Sequence, residues 1–243
     1  MPTTYLCGED CPANPGAWEL HGVFHKKLRK QQKKREDGGA TQQRDREIAE
    51  RQARIAALTG DEYSKLLAEG TRYSSKDDFR RAAKAYREAI ALKPDQPIAY
   101  ANLGVALSNS GHIMEAAQRY LEAKERFPMG SELWADATAA AFDKLWRNEC
   151  AEVAKPDWWN DEGLKALSAR VVRASPNNAQ ANQMRANVLC GQCGAWEARP
   201  RSAAELKEAV VYYGRTAALI SAPLGKAEFA GCAAWCRSQA AAM

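Results

Sequence analysis

The sequence predicts an all-α protein, namely an α/α solenoid in which pairs of helices stack on one another. Alanine supplies 47 of the 243 residues, whereas valine, isoleucine and threonine together supply 21. Alanine is the best helix former, and the β-branched residues that build sheets are scarce. From Asp61 onward the pattern is helical almost to the end, and within it a unit of 34 residues is repeated.

The charge and the cysteine content indicate which partners and which cellular compartment to expect. The 35 basic and 30 acidic residues leave a formal net charge of +5, which is too small to indicate nucleic-acid binding unless it is clustered. No apolar run reaches the about 18 residues of a membrane span, and the first residues do not resemble a secretory leader. Seven cysteines without such a leader favour free thiols or metal ligands. We therefore expect a soluble protein of the cytoplasm or nucleus, in a reducing compartment and without membrane contact.

Three parts follow one another along the chain. Residues 1–28 are rich in Cys, Pro, Gly and His, residues 29–60 form a charged linker or helix, and residues 61–243 are the helical repeat domain. The run 26–35 is strongly basic and has two interpretations. It is either a solvated helical linker or a patch that binds nucleic acid, which would make the chain a nucleic-acid-associated adaptor.

Two repeats are clear. Taking Pro94 and Pro128 as equivalent aligns residues 63–96 with residues 97–130 without gaps. The matched pairs are Gly70 and Gly104, Ala82 and Ala116, Tyr86 and Tyr120, and Ala89 and Ala123. Small side chains let paired helices pack closely, and Gly104 lies where another helix must approach. The prolines end the second helices, and Pro97 opens the next unit.

Beyond Pro128 the repeats are degenerate. A third unit, 131–178, begins with a helix containing Trp134 that extends to about Asn148. An irregular stretch around Trp158 and Trp159 follows, and then a helix from Asp161 to Ala174. A fourth unit, 179–223, places helices at Ala179 to Cys190 and at Ala203 to Ile220. Residues 224–241 form a terminal capping helix.

This spacing, with the residue types at Gly70, Ala82, Tyr86 and their partners, resembles the tetratricopeptide (TPR) repeat. The resemblance implies stacked helix–turn–helix units whose first helices line a peptide-binding groove. Projected onto this chain, the groove residues are Leu67, Thr71, Asn102, Val105, Asn109 and Asp136. Their lining is neutral to slightly acidic, so we expect a neutral or basic protein or peptide ligand. The asparagines have an alternative role, which is to satisfy the packing of the helices.

A cysteine and histidine cluster precedes the repeats. Cys7, Cys11, His21 and His25 are spaced C-x3-C-x9-H-x3-H. Two thiolates and two imidazoles suit tetrahedral Zn²⁺, and a metal would give this segment, poor in large apolar residues, a reason to fold. The alternative is a remnant that does not bind metal.

With Tyr5 and Trp18, these residues resemble the C-terminal half of a MYND-type zinc finger. The last ligand is His25 where the family has cysteine, and the family's first cysteine pairs have no counterpart here. The resemblance implies a protein-interaction module. MYND fingers and helical repeats also occur together in lysine methyltransferases, but the residues that mark their catalytic domain are not found in this sequence.

Other cysteines could hold a second metal. Cys190, Cys193, Cys232 and Cys236 supply four thiols at ligand-like spacings, and the alternative is that they are small buried residues at helix ends and interfaces. No nucleophile or phosphate-binding motif is found, so neither catalysis nor a small-molecule substrate is expected. The sequence therefore predicts a non-catalytic protein-interaction scaffold with Zn²⁺ as its metal.

Overall fold

The computed structural model describes residues 61–147, 150–191 and 196–243. The described residues are helical and contain no strand. The helices are α1 (Glu62–Ser74), α2 (Phe79–Leu92), α3 (Pro97–Asn109), α4 (Ile113–Arg126), α5 (Glu132–Leu145), α6 (Asp161–Ala174), α7 (Ala179–Cys190), α8 (Ala203–Leu219) and α9 (Pro223–Ala241). They belong to two compact units, which divide between Pro128 and Met129.

In the first unit, α1 to α4 pack each against the next, and α1 also contacts α3. The close-packing alanines of the repeat are completely buried, namely Ala82, Ala89, Ala116 and Ala123. Gly104 is buried, and an added Cβ there would lie 2.9 Å from Cε1 of Tyr120. The predicted close approach of a second helix at Gly104 is therefore confirmed.

Local chemistry explains where these helices begin and end. Asp61 and Asp78 are N-caps, and their carboxylates accept hydrogen bonds from the backbone N–H of Ser64 and Arg81 at 3.3 and 3.2 Å. Pro97 occupies the first turn of α3, as predicted, where its missing N–H costs little. The turn between α3 and α4 contains Gly111 with a φ of 88°, a conformation that favours glycine.

In the second unit, α5 to α9 also pack each against the next, and α5 contacts α7. The N-caps of α5 to α8 each accept a backbone hydrogen bond through the side chain, and they are Ser131, Asn160, Asn178 and Ser202. The predicted spans of α6 and α7 are confirmed. Helix α5 ends at Leu145, three residues earlier than Asn148. The Lys155 ammonium donates to the carbonyl of Leu145 at 2.6 Å, and so supplies a partner to one of the acceptors that the end of a helix leaves without a helical bond.

An aromatic cluster fills the second unit beside the irregular stretch after α5. The ring of Phe142 lies 5.5 Å from that of Trp159 and 6.0 Å from that of Trp196, centroid to centroid. Trp146 stacks on Phe142 at 6.2 Å, and Trp158 contacts Trp159. Aromatic pairs of this kind stabilise a fold beyond the contribution of the apolar area that they bury. The irregular stretch thus contributes the half-buried ring of Trp159, which packs against the buried Phe142 and Trp196.

These helix pairs confirm the predicted all-α, TPR-like solenoid of stacked helices. The boundaries proposed for the three domains, and for the individual repeats, stay a prediction. Among the helices that the structure describes, none is both long and apolar enough to span a membrane.

Candidate functional site

One face of α3 is turned away from the core and carries no charge. Ile98, Asn102, Val105 and Asn109 are spaced by four, three and four residues, which places them on one side of the helix. Ile98 and Val105 are each 42% exposed, Asn109 is also exposed, and Asn102 is half-buried. The opposite side contributes Tyr100, Leu103, Gly104 and Leu107 to the core. We call the four outward residues the α3 face.

The two asparagines of the α3 face keep their hydrogen-bonding capacity. Among the residues that the structure describes, no hydrogen bond reaches the side-chain amide of Asn102 or Asn109. Each amide can donate two hydrogen bonds and accept others. Asn182 and Asn187 in the second unit behave differently, because they are buried and bonded. Asn182 donates to the carbonyls of Pro176 and Asn178, both at 2.8 Å, and Asn187 accepts from Tyr213 at 3.0 Å.

This contrast separates the two roles that the sequence left open for asparagine. The buried asparagines make hydrogen bonds that hold helices of the second unit together. The asparagines of the α3 face do not, since their amides make no bond within the described chain. They are therefore available to a ligand, and an extended peptide backbone offers the carbonyl and N–H groups that an amide pairs with.

The α1 residues predicted for the groove are less available. Leu67 and Thr71 are half-buried on α1, which contacts α3. The Thr71 hydroxyl donates to the carbonyl of Leu67 at 2.9 Å and accepts from the Tyr86 hydroxyl at 3.3 Å. Burial raises the pKa of Tyr86, and the bond to Thr71 opposes this. Thr71 therefore positions the Tyr86 ring, while Leu67 can add apolar contact.

Asp136 lies on α5, in the second unit. Its Oδ1 accepts hydrogen bonds from Ser175 Oγ at 2.8 Å and from Asn178 Nδ2 at 2.9 Å. This carboxylate ties α5 to the start of α7. A ligand at Asp136 would compete with these bonds.

The predicted metal ligands Cys7, Cys11, His21 and His25 lie outside the described residues, as do the basic run 26–35 and Cys193. Within the part of the chain that is described, no group of three or more Cys, His, Asp or Glu side chains could hold a metal ion. Cys190, Cys232 and Cys236 are buried in one hydrophobic cluster with Leu206, Tyr213 and Phe229. They pack there as the alternative interpretation of these cysteines expects.

The structure contains a buried ion pair that the sequence did not predict. Asp161, at the first position of α6, accepts hydrogen bonds from both terminal nitrogens of Arg201 at 3.0 and 2.5 Å. Arg201 holds the pKa of this carboxyl well below its usual range, although burial raises it. Hydrogen bonds from Lys165 and Trp196 also lower this pKa. Both side chains are almost fully buried. The pair is 40 residues apart in sequence, and no local pattern links its members.

The stacked helix pairs place this chain in the class of helical-repeat proteins. Residues 70–111 match the family model described as TPR repeat. The match includes Thr71, Asn102, Val105 and Asn109, and it supports the TPR resemblance over α2 and α3. A comparison of the chain with curated proteins found no match.

Proposed function

We propose that this chain is a non-catalytic protein-interaction scaffold that binds an extended, neutral or basic peptide segment on the α3 face. The observation that carries the proposal is the pair of unbonded amides at Asn102 and Asn109, on either side of the exposed Val105. Stacked helical repeats present extended binding surfaces, and the TPR match covers this helix. The amides would pair with the peptide backbone, while Val105 and Ile98 would contact its apolar side chains.

The charge of the surface supports the choice of ligand. Helix α3 contains no charged residue over its whole length from Pro97 to Asn109. A ligand with a strongly acidic tail would find no lysine or arginine there to pair with. A neutral or basic segment needs no lysine or arginine as a partner.

The test is selection of peptides from a random library by the full-length protein, followed by affinity measurement on the selected peptides. We expect Asn102→Ala and Asn109→Ala each to weaken binding by about fivefold to tenfold, the effect of losing roughly one hydrogen bond. Gln118→Ala on α4 is the matched control, because it removes an exposed amide from a helix outside the α3 face. Selected peptides that bind both asparagine variants as tightly as the original protein would contradict the proposal.

A second element of the proposal rests on the sequence alone. The spacing of Cys7, Cys11, His21 and His25 supports a single Zn²⁺ held by two thiolates and two imidazoles, in a MYND-like interaction module. Metal analysis of the purified full-length protein should find zinc, and the Cys7→Ala, Cys11→Ala double variant should lose it. Unchanged zinc content in the double variant would contradict this site, and Cys150→Ala is the control for loss of a thiol, because Cys150 belongs to neither predicted set of metal ligands.

A further inference from the structure

The α3 face repeats itself along the helix axis. Ile98 and Val105 are seven residues apart, and so are Asn102 and Asn109. Seven residues are nearly two turns of helix, with a drift of only about 20°, and they advance about 10.5 Å along the axis. The face therefore presents an apolar side chain and an amide in alternation, each with a repeat of about 10.5 Å.

This repeat can be compared with the two extended conformations that a peptide adopts. In a β-strand, side chains on one face recur every second residue, at about 6.6 Å and then about 13.2 Å. In a polyproline II helix they recur every third residue, after about 9.3 Å. A ligand that lies along α3 and contacts both Ile98 and Val105 matches the polyproline II repeat within about 1.2 Å, and misses either β spacing by more than twice that distance.

Hydrogen bonding and charge agree with this choice. A polyproline II backbone makes no internal hydrogen bonds, so its carbonyl groups are free to accept from the amides of Asn102 and Asn109. Proline within the ligand removes N–H donors, and each asparagine has two donors to offer. The absence of any charged side chain on α3 suits an uncharged ligand. Such a helix is also preformed, which reduces the entropy lost on binding.

We infer that the ligand of the α3 face is an uncharged polyproline II segment with apolar residues at every third position. This inference rests on the proposed function. One apolar side chain packs on Ile98, the one three positions along packs on Val105, and carbonyls between and beyond them accept from the two asparagines. The segment lies parallel to the axis of α3, because only that direction reaches both amides.

The experiment compares two capped peptides of twelve residues by fluorescence anisotropy with the full-length protein. In the first peptide, the triplet leucine, proline, glutamine is repeated four times. The second has the same composition with the leucines at alternate positions. We expect the first peptide to bind at least about fivefold more tightly, and Val105→Ser, Asn102→Ala and Asn109→Ala each to weaken it by about fivefold or more. Gln118→Ala should leave the affinity unchanged.

The outcomes distinguish this inference from the proposed function. If the second peptide binds as tightly as the first and its binding depends on Asn102 and Asn109, the face binds peptides and the polyproline II inference is wrong. If neither peptide binds, or if binding of both is unaffected by the asparagine variants, the polyproline II inference is also wrong. The proposed function is then decided by the peptides selected from the random library. Replacement of the glutamines by glutamate should weaken the binding of the first peptide. Tighter binding of that acidic form would overturn the inference that the ligand is uncharged.

Discussion

The ring of Tyr120 lies directly against the backbone of Gly104, so closely that a Cβ at position 104 would be 2.9 Å from the Cε1 atom and 3.0 Å from the Cδ1 atom of the ring. Tyr86 lies against Gly70 in the same way one repeat earlier. The two contacts join the helices of each pair, α1 with α2 and α3 with α4. The glycine and the tyrosine are therefore one feature of the repeat, because neither helix could approach the other if the glycine had a side chain.

Replacement of this glycine should destabilise the first unit. In Gly104→Ala, the added methyl group meets the Tyr120 ring, which is held in the core, and such overpacking costs about 1 to 3 kcal/mol. Thermal or urea denaturation would measure the loss.

Gly214→Ala is the matched control for this substitution. Gly214 lies within α8, and a Cβ there would meet no atom within 4 Å. The substitution should raise the free energy of unfolding by about 1 kcal/mol, the ordinary gain for alanine over glycine in a helix. Equal stabilisation by the two substitutions would show that the Tyr120 ring does not restrict position 104.

The buried ion pair should show strong coupling between its members. Asp161→Asn leaves Arg201 charged and buried without its carboxylate, and should cost about 3 to 5 kcal/mol. Arg201→Met should cost less, because Asp161 keeps the Lys165 ammonium at 3.1 Å as a partner. The double variant removes both charges, and should be markedly more stable than the sum of the single losses predicts. Denaturation of the four proteins measures this coupling. Simple additivity of the two losses would mean that the pair contributes no mutual stabilisation.

Acid should destabilise the second unit through Glu205. Burial raises the pKa of this carboxyl, but hydrogen bonds from Lys165 and Ser202 outweigh it and hold the pKa at about 2, below its ordinary value of 4.5. A carboxyl with a depressed pKa stabilises the fold above its unfolded pKa, and the stabilisation is lost as the pH falls toward the folded pKa. Stability should therefore decrease between about pH 4.5 and pH 2.

Glu205→Gln checks this assignment. Glutamine can still serve the capping box with Ser202 at the start of α8, but it does not titrate. The variant should be less stable than the original protein at pH 7, and its free energy of unfolding should fall less steeply below pH 4.5. Parallel pH profiles for the two proteins would assign the acid sensitivity to other groups.

Lys155 should stabilise the C-terminal end of α5 and the residues that follow it. Its ammonium donates to the carbonyls of Leu145 and Cys150, both at 2.6 Å, and lies 5.3 Å from the centre of the Trp159 ring. Burial lowers the pKa of Lys155, which records the cost of placing the charge there. Lys155→Met keeps the aliphatic stem and removes both hydrogen bonds, while the carbonyl of Cys150 still accepts from the Val153 N–H at 3.2 Å, so we expect a loss of about 1 to 3 kcal/mol. Lys207→Met, on the exposed side of α8, should change the stability little, and an equally small effect at Lys155 would contradict this role.

Much of the candidate site could be predicted from the sequence. The 34-residue repeat places Asn102, Val105 and Asn109 on one side of a first helix, because the periodicity of a helix decides which residues share a face. The repeat could not show that Ile98 extends the same face, because it is apolar and its exposure depends on whether another helix covers it.

The sequence by itself determined the helical class, the repeat and the positions of close packing, since alanine content, spacing and proline and glycine positions act locally. Only the tertiary structure decided which asparagines are free and which are buried, because Asn102 and Asn187 differ in the helices that pack around them. It also decided the Asp161 and Arg201 pair and the contact of Phe142 with Trp159 and Trp196. These side chains lie far apart in sequence, and they meet only when packing against the core fixes the position of each helix.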